Sequence, residues 1–378
     1  MIPDFVIKLS NLVGQMLIDL SLNILKNYEP NSIVEKQKSS LEYLHYLDPK
    51  QELLVIRFGI RYYEEKNKYY NLITFKKSIL NLFTLFKFQQ LLLDKKGVIV
   101  CHGFGMPIRF MALKLLVKKR FNIYVQHHAG EPFQNPLKLL LQRTAYKNAN
   151  GYFFTSKENA EKFVESKIIK HQNKVTEVME GSCSFTLLDK RVCRKHLGIS
   201  DELVFIWVGR LNQNKDPFTV LNAFERFVQI HKNSCLYMIF GTDELKKEIE
   251  YFVNTNDLTR NVKLNGKVDH QELEKWYNAS DIYLSGSHTE GSGYALCEAL
   301  ACGCYPVITN IPSFNWMTGN GKVGKQFSPG NSDELLRTLN ELDISAIETE
   351  RDKTRKHFDE LLSFEAIAKT ISTTINQK

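Results

Sequence analysis

Short apolar runs alternate with longer segments of helical period along most of the chain. The runs that predict strands in the first half cover residues 52–58, 97–101, 121–126, 151–155 and 174–179. Those in the second half cover residues 203–209, 235–240, 262–266, 281–286 and 305–309. Alternation of this kind is typical of parallel sheets whose crossover helices cover both faces. The pattern therefore predicts an α/β protein built from two similar doubly wound units.

The length of the chain agrees with this division. A chain of 378 residues, 43% of them hydrophobic, is long for one ordinary core and suits two domains. The segment 181–200 has no strong period and separates the two series of strands. We expect a first domain over residues 1–190 and a second over 191–346. Helices over 347–378 are expected to pack back across the cleft between them.

The opening of the chain departs from this pattern. A helical period there predicts a helix at the apolar residues Val13, Met16, Leu17, Leu20 and Ile24. Because a doubly wound unit normally begins with a strand, two explanations remain open. Residues 4–9 form a short edge strand, or the true start of the protein lies upstream of Met1.

Residues 75–96 mix Phe and Leu with Lys. We favour a helix that covers the first sheet, and a helix lying on an anionic membrane is the alternative. The dense apolar runs are far shorter than the roughly 20 residues that a spanning helix needs, and no leader with a cleavage site opens the chain. We therefore expect a cytoplasmic protein, with peripheral contact at the inner face of a membrane left open.

Charge is distributed unevenly between the two halves. Residues 1–200 hold 31 Lys and Arg against 17 Asp and Glu, a net +14, whereas residues 201–378 hold 19 against 25, a net −6. A basic first half suggests an anionic partner, such as a lipid phosphate, an acidic glycan or a membrane surface. Solvation by surface lysines is the alternative.

Cysteine and carboxylate patterns give no sign of a metal site. The seven cysteines are odd in number and mostly lie in apolar runs, so we expect reduced thiols in the core rather than a disulfide framework or zinc ligands. No Asp-x-Asp pair appears that could hold a divalent cation. Fixed cations would have to neutralise a phosphate instead.

The stretch "DIYLSGSHTEGSGYALCEALACG" from residue 281 reads as strand, glycine-bearing loop and helix. Glycines let a phosphate approach the backbone, and a helix N-terminus offers N–H groups with partial positive charge. The loop supplies Gly291, Ser292 and Gly293, and amides near Tyr294 and Ala295 could take a phosphate. Glu298, about one turn into the helix, could accept hydrogen bonds from ribose hydroxyls, and Glu290 would reach the group beyond the phosphates. A purely structural turn is the alternative.

A second strand-end loop carries fixed cations. "VFIWVGRLNQNKDPF" runs from a strand through Gly209 to Arg210 and Lys215, before a helix that begins near Pro217. An Arg fork and a Lys point charge can together clamp a diphosphate. Solvated surface cations are the alternative interpretation.

The two loops together resemble the retaining glycosyltransferases of family 4, also called group 1 glycosyltransferases. "GRLNQNK" is followed some 75 residues later by "EGSGYALCEALACGCYPV", and the likeness is closest over about 200–340. The resemblance implies a GT-B fold of two facing Rossmann-like domains with a C-terminal helix that crosses back to the first domain. It also implies a hexosyltransferase, with retained configuration and without a metal ion, active in cell-surface polysaccharide biosynthesis.

The resemblance assigns roles to these residues. Arg210 and Lys215 would hold the donor diphosphate, and Glu298 the ribose. Glu290, with the backbone of 291–295, would hold the donor sugar and its phosphate. The loop "NGKVDH", with Lys267 and Val268, would pass the nucleotide base. No cofactor is implied, because the nucleoside-diphosphate sugar is a co-substrate, and the acceptor would be a glycan or a lipid-linked sugar rather than nucleic acid.

The acceptor side is expected in the first half. "YVQHHAGEPF" resembles the strand end where the family has a histidine that faces the sugar. His127 and His128 both qualify, and we prefer His128 because it lies just past the strand end. His102 and Gly103, at another strand end, could line the acceptor side as well.

Departures from the family pattern and rival interpretations limit these assignments. The glycine pair that the family carries in its first strand-to-helix loop is missing, with only Gly14 nearby. A nicotinamide enzyme is disfavoured, because Ile108 replaces the third glycine of the dinucleotide motif that would begin at Gly103. A sugar-nucleotide epimerase or phosphorylase, and a non-catalytic member that binds nucleotide or glycan, remain alternatives.

Overall fold

The computed structural model describes residues 16–26, 28–48, 52–128, 130–200, 203–241 and 244–377. The chain divides into two compact units. The described residues up to Gly181, together with those from Phe364 onward, form the first unit, and Ser182–Ser363 form the second. Each unit contains one largely parallel sheet with helices packed on it. The predicted α/β class with two doubly wound units is confirmed.

The first unit has eight strands among its described residues: β1 (Met16–Leu25), β2 (Glu52–Gly59), β3 (Tyr63–Lys66), β4 (Asn71–Lys76), β5 (Gly97–His102), β6 (Phe121–Gln126), β7 (Gly151–Phe154) and β8 (Val175–Glu177). They form one sheet in the order β3-β4-β2-β1-β5-β6-β7-β8. Neighbours pair parallel, except β3 with β4. The five strands predicted for this half are present, whereas β1, β3 and β4 were not predicted.

The helix predicted at the start of the chain is wrong for its described part. Met16–Leu25 is a central strand that pairs with both β2 and β5. Apolar and polar residues alternate from Ile18 to Ile24, as in a strand with one apolar face, and the first five residues of β1 are all buried. The apolar positions used for the prediction also recur at helical spacing, so the segment fits both periods. Val13, Gly14 and residues 4–9 lie outside the described residues.

Helices cover this sheet: α1 (Ile33–Lys36), α2 (Lys38–Leu41), α3 (Leu82–Leu91), α4 (Pro107–Val117), α5 (Pro136–Tyr146) and α6 (Lys157–Glu165). Their starts follow from local sequence. Side chains of Asn81, Asn135 and Ser156 accept hydrogen bonds from first-turn amides of α3, α5 and α6. Phe88 of α3 is fully buried in the same core as the strands, so the helix predicted within residues 75–96 does cover the first sheet.

The second unit has six described strands: β9 (Leu203–Gly209), β10 (Ser234–Phe240), β11 (Val262–Gly266), β12 (Ile282–Ser285), β13 (Tyr305–Thr309) and β14 (Lys325–Phe327). All pair parallel, in the order β11-β10-β9-β12-β13-β14. Five of them were predicted, and β14 was missed. The helices are α7 (Lys190–Leu197), α8 (Pro217–Ile230), α9 (Lys246–Thr255), α10 (His270–Ala279), α11 (Tyr294–Ala301), α12 (Pro312–Met317), α13 (Ser332–Asn340) and α14 (Ile347–Leu361).

The last two helices belong to different units. α14 packs on α11, and its buried Arg351 donates to Asn278 Oδ1 at 2.8 Å and to the Leu188 carbonyl at 3.1 Å. α15 (Phe364–Asn376) instead packs on the short 3-10 helix Glu42–Tyr46 of the first unit. The return of a C-terminal helix to the first unit is therefore confirmed for α15.

Each sheet has a point where its strand order reverses. In the first unit the chain proceeds from β1 to β2 on one side and from β5 to β8 on the other, so the reversal lies between β1 and β5. In the second unit it lies between β9 and β12. Loops on the two sides of a reversal diverge and leave a crevice at the carboxyl ends of the strands, where α/β proteins bind ligands. Both predicted clusters of site residues lie at these two reversals.

Candidate functional site

In the second unit, the loops that follow β9 and β12 meet at the reversal. The amide of His288 donates to the Asn214 carbonyl at 2.8 Å, and Asn214 Nδ2 donates to the Thr289 carbonyl at 3.0 Å. The Thr289 hydroxyl returns a bond to Asn214 Oδ1 at 2.7 Å. Asn214, which the sequence did not single out, therefore holds together the two loops that carry the predicted donor residues.

Lys215 and Glu290, one from each loop, form an ion pair between Nζ and Oε1. Their side chains are only 18% and 12% exposed. A pair shielded to this degree is screened less by salt than a surface pair, and each partner fixes the other. The structure thus brings together two predicted site residues that are 75 positions apart in sequence.

Glycine permits the close approach of the two loops. A Cβ at Gly286 would lie 2.6 Å from the carbonyl oxygen of Asp216, which real Cβ atoms do not tolerate. Asp216 itself caps α8, since its carboxylate accepts from the Thr219 amide at 3.1 Å and from the Thr219 hydroxyl at 2.6 Å. The same carboxylate lies 3.1 Å from His288 Nε2. Gly286 is a site residue that the sequence did not identify.

The start of α11 has the features of an anion site. Gly293 precedes the helix in the left-handed conformation, with φ of 61°, and a Cβ there would lie 2.9 Å from the Phe314 ring. A glycine supplies no capping oxygen, in contrast to Asp216 at the start of α8. Helix N-termini favour negative charge, and this one follows the loop with Glu290, Gly291 and Ser292 and begins at Tyr294 and Ala295.

Glu298 lies one turn into α11 with two partners that the sequence did not predict. Oε1 is 3.0 Å from His270 Nε2, and Oε2 accepts from the Tyr277 hydroxyl at 3.1 Å. Burial and then the Glu298 charge raise the pKa of Tyr277 well above its ordinary value, so Tyr277 remains a donor. The carboxylate is 12% exposed and keeps further lone pairs for hydroxyl donors. His270, the first residue of α10, is also the last residue of the predicted base loop with Lys267 and Val268.

Arg210 follows Gly209 at the end of β9, and both Arg210 and Lys267 are exposed. The structure therefore places the predicted cations on the carboxyl edge of the sheet, with Lys215 paired and Arg210 facing solvent.

All seven cysteines are buried free thiols, as predicted. Among the described residues no group of three His, Cys, Asp or Glu side chains is placed to hold a metal ion.

In the first unit, the predicted histidines lie at the other reversal. His102 ends β5, and its Nδ1 is 2.6 Å from Nε2 of His128, which follows β6. His102 Nε2 is 2.8 Å from Asp19 Oδ2, and His128 Nδ1 contacts Glu180 Oε2. His128 is 33% exposed on its side chain, whereas Asp19 is fully buried. The structure therefore joins two predicted residues to two acids that sequence reasoning missed.

His127 points elsewhere. Its ring stacks on Phe154 with centroids 4.7 Å apart, and its Nε2 lies 3.1 Å from the Gly130 carbonyl. Burial lowers the pKa of His127 from its ordinary value, although the Gly130 carbonyl opposes the shift. Gly103 has a φ of 82° and its amide donates to the Gln126 carbonyl at 2.8 Å. Of the two histidines, His128 is the one joined to the charged residues at the reversal.

Asp19 remains charged although it is buried. Burial would raise its pKa, but His102 and Arg57 outweigh burial and hold the pKa well below the ordinary value. Arg57 Nη2 donates to Asp19 Oδ1 at 2.7 Å, and the Tyr43 hydroxyl donates to Oδ2 at 3.1 Å. An acid inside an apolar run indicates a buried charge that needs a partner. The sequence contains this signal at Asp19, but the predicted helix gave the residue no buried position in a strand.

Comparison with known proteins finds a family match over most of the second unit. Residues 189–360 match the family model described as glycosyl transferases group 1. The alpha-monoglucosyldiacylglycerol synthase of Acholeplasma laidlawii is 23% identical over 253 residues, which cover 61% of this chain and 62% of that protein. The phosphatidyl-myo-inositol mannosyltransferase of Propionibacterium freudenreichii is 28% identical over 142 residues, 36% of this chain and 34% of that protein. The chain thus matches less than two thirds of the length of these relatives.

Solved structures share the fold over nearly the whole chain. The sucrose-phosphate synthase of Thermosynechococcus elongatus has a TM-score of 0.66 and 18% identity, covering 96% of this chain and 99% of that one. Anabaena HepE in complex with UDP-glucose has a TM-score of 0.65 and 15% identity, covering 96% and 100%. The predicted GT-B fold is confirmed. None of the described helices combines the length and apolar character that crossing a bilayer requires.

Proposed function

We propose that this chain, whose residues 189–360 match the family model of group 1 glycosyl transferases, moves a hexose from a nucleoside-diphosphate sugar to an acceptor hydroxyl with retained configuration. One observation carries the proposal. The Lys215–Glu290 ion pair lies at the reversal of the second sheet and joins the loop after β9 to the loop that leads into α11. A cation, a carboxylate and a helix N-terminus in one crevice suit a sugar joined to a diphosphate.

In this proposal the diphosphate binds between Arg210, Lys215 and the start of α11. Negative charge grows on the leaving phosphate as the sugar bond breaks, so cations and helix amides stabilise the transition state more than the ground state. The phosphate competes with Glu290 for Lys215, which frees the Glu290 carboxylate for hydroxyls of the departing sugar. The proposal includes neither a divalent metal nor a cofactor beyond the sugar nucleotide.

Glu298 is proposed to recognise the ribose. His270 and Tyr277 hold its two oxygens from the α10 side, at 3.0 Å and 3.1 Å. A carboxylate fixed in this way presents its remaining lone pairs in a set direction, which suits a pair of neighbouring hydroxyls. The base would then pass Lys267 and Val268, which precede α10.

A glycan or lipid-linked acceptor is proposed from the names of relatives. The Acholeplasma relative is a synthase of a glucosyldiacylglycerol, and the Propionibacterium relative acts on phosphatidyl-myo-inositol. The basic first half of this chain agrees with an acceptor that carries phosphate or acidic sugars. Polysaccharide biosynthesis at the cell surface is the setting that we propose for such a reaction.

The test is calorimetric titration of the full chain with UDP, GDP, ADP and CMP, with and without EDTA. We expect one nucleoside diphosphate to bind, EDTA to leave binding unchanged, and Lys215→Ala to weaken it at least tenfold. Lys356→Ala is the matched control, because Lys356 is an exposed lysine of the same unit at 76% side-chain exposure. Folded protein that binds none of the four would contradict the proposal.

Two alternatives make different predictions in a second assay. An epimerase or a phosphorylase shares the phosphate site but needs no carbohydrate acceptor, and a non-catalytic member binds nucleotide without turnover. Release of nucleotide from the donor that depends on an added glycan or glycolipid supports transfer. Product formation without an acceptor would favour the first alternative, and binding without any product the second.

A surface on α3 supports peripheral contact with an anionic membrane. Leu82 is 81% exposed, Phe83 67% and Phe86 59%, although the opposite side of the helix buries Phe88. Lys87 Nζ lies 5.0 Å from the centroid of the Phe83 ring. Large exposed apolar side chains interleaved with lysine are typical of helices that lie in a lipid headgroup layer. The neighbouring segment adds Lys76 and Lys77, both exposed.

Flotation with vesicles tests this contact. We expect the chain to float with vesicles that contain an anionic phospholipid at low salt, and not with neutral ones. The double change Phe83→Ser with Phe86→Ser should abolish flotation. Ile230→Ser with Tyr251→Ser, which removes two side chains of the second unit that are each 73% exposed, should not. Failure of the unmodified chain to float would remove the membrane contact and leave the transferase proposal intact.

A further inference from the structure

A continuous chain of charged and titratable side chains crosses the reversal of the first sheet. It runs from Arg57 on β2 to Asp19 on β1, then to His102 at the end of β5, His128 after β6 and Glu180 after β8. Each link is a direct contact between side chains. Glu180 is 8% exposed and Arg57 2%. The catalytic scheme proposed above assigns no role to Asp19, Arg57 or Glu180.

The outer nitrogens of the two imidazoles face carboxylates. His102 Nε2 is 2.8 Å from Asp19, and His128 Nδ1 contacts Glu180. A carboxylate is an acceptor only, so each of these nitrogens has to carry a hydrogen. Asp19 also accepts from Arg57 and Tyr43, which keeps it ionised. Both outer positions are therefore donors.

The inner nitrogens then determine the charge of the pair. Nδ1 of His102 and Nε2 of His128 are 2.6 Å apart. Two lone pairs at this distance would repel each other, and two hydrogens would collide, so a single hydrogen lies between them. With both outer nitrogens protonated as well, the two rings hold three hydrogens on four nitrogens. The pair thus carries one positive charge, which the charge of Glu180 balances, as Arg57 balances Asp19.

We propose that Asp19 and His102 are positioning residues for His128. Together with Glu180 they hold the two imidazoles as a pair that shares one positive charge, and so fix the orientation and the protonation of the one partly exposed ring. Both nitrogens of His128 are then occupied, so its exposed C–H edge presents positive charge to an acceptor and offers no free nitrogen as a base. This inference rests on the proposed function in one respect, the acceptor-side role of His128.

Neighbouring groups reinforce the arrangement. Burial is the largest influence on His102 and lowers its pKa, although the Asp19 charge acts in the opposite direction. The titratable and charged groups that face the pair and Asp19 from the surrounding elements are Tyr43, Arg57, Tyr70, Cys101, His127 and Glu180. Burial raises the pKa of Tyr70 and of Cys101, and burial together with Asp19 raises that of Tyr43, so all three stay uncharged at neutral pH.

The direct test is ring-nitrogen NMR of the full chain labelled with ¹⁵N-histidine. His102→Gln and His128→Gln assign the two rings. At neutral pH we expect protonated Nε2 on His102, protonated Nδ1 on His128, and one hydrogen shared between the inner nitrogens. Two neutral rings that titrate independently near the ordinary histidine value would overturn the inference.

Variants separate positioning from folding. Asp19→Asn removes the charge that demands the outer hydrogen, so the pair should lose its positive charge at a pH lower by about 1 to 3 units. Glu180→Gln removes the acid beside the more accessible ring, and it should also lower the pH at which the pair loses its positive charge. Tyr43→Phe removes one neutral donor and keeps both acids, so its shift should be the smallest. An unchanged titration of His128 in both acid variants would refute the proposal.

An activity measurement distinguishes this inference from the proposed function. If transfer occurs, the alkaline limb of its pH–rate profile should move to lower pH in Asp19→Asn by the same amount as the NMR titration. A merely structural role of Asp19 would not produce this shift. An alkaline limb that stays fixed while the NMR titration moves would overturn the positioning role. A shared hydrogen without transfer by the unmodified chain would contradict the proposed function and still support the pairing.

Discussion

The two sheets place their polar residues at the same topological position but build it differently. At the reversal of the second sheet, Gly286 lets the main chains of two loops approach each other, and Gly293 leaves the start of α11 without a side-chain cap. At the reversal of the first sheet, Asp19 and Arg57 form a buried ion pair. The glycines leave room for the anion that we propose to bind there, whereas the buried ions of the first sheet compensate one another. The same topology can therefore serve ligand binding in one unit and side-chain orientation in the other.

The largest effect should come from breaking the buried ion pair of the first reversal. Arg57→Met leaves Asp19 without its main cation, and we expect a loss of about 3 to 5 kcal/mol in the free energy of unfolding. Arg61→Met is the control, since its pair with Glu29 is 58% and 60% exposed and should contribute less than about 1 kcal/mol. Denaturant titration measures both. Equal losses of unfolding free energy in the two variants would contradict the expected difference between a buried and an exposed ion pair.

Next in size is the loss of a cation from the second reversal. Arg210→Ala should lower the turnover of donor by about 10² to 10³, because a charged donor to the leaving phosphate is removed. Unfolding should hardly change, since Arg210 is exposed. Arg226→Ala, an arginine of α8 that is 49% exposed on its side chain, should leave turnover unchanged. Wild-type turnover in Arg210→Ala would refute the role of this residue.

A smaller effect should follow from one added methyl group. Gly286→Ala places a Cβ about 2.6 Å from the Asp216 carbonyl, so the loops after β9 and β12 have to separate. We expect a loss of about 1 to 3 kcal/mol in stability and weaker nucleotide binding. Gly241→Ala is the matched control at another strand end of this sheet, where an added Cβ meets no atom within 4 Å. Thermal unfolding and calorimetry of both variants would decide whether the close approach matters.

The smallest effect is a dependence of stability on pH that the first reversal should show. Because burial lowers the pKa of His102 from 6.5, the unfolded chain binds a proton at pH values where the folded chain does not. The contribution of His102 is complete above pH 6.5 and is lost as pH falls toward the folded pKa. Asp19, whose pKa is also lowered, adds a further loss below its ordinary value of 3.8. Unfolding midpoints measured from pH 8 to pH 4 should shift less in His102→Gln.

Sequence patterns predicted the second unit better than the first, for physical reasons. Strands β9, β11 and β13 were predicted to the residue, and the loops with Lys215 and Glu290 follow the strand-loop-helix order that a phosphate site needs. The partners of these residues were not predictable. His270 and Glu298 are 28 positions apart, and only the packing of α10 against α11 brings them together.

The first unit was harder because its first described strand fits two periods. In β1, apolar and polar residues alternate from Ile18 to Ile24, but apolar residues also recur at helical spacing, so a helix was predicted and the central position of Asp19 was missed. Once β1 is a strand, parallel pairing places Ser21 beside His102, and Asp19 lies two residues earlier. The register, rather than any local motif, thus creates the link between Asp19 and His102. His128 was preferred over His127 on the ground of strand-end geometry, and its acceptor-side role stays a prediction.

The position of α15 has a consequence for how this protein is made. The helix packs on Glu42–Tyr46 and buries Ile367 and Ile371, yet it is synthesised after the whole second unit. The second unit can therefore fold during synthesis while the first unit still lacks a piece of its surface. A chain that stops before residue 364 would contain a complete second unit and a first unit without α15, and cellular quality control would recognise it as incompletely folded.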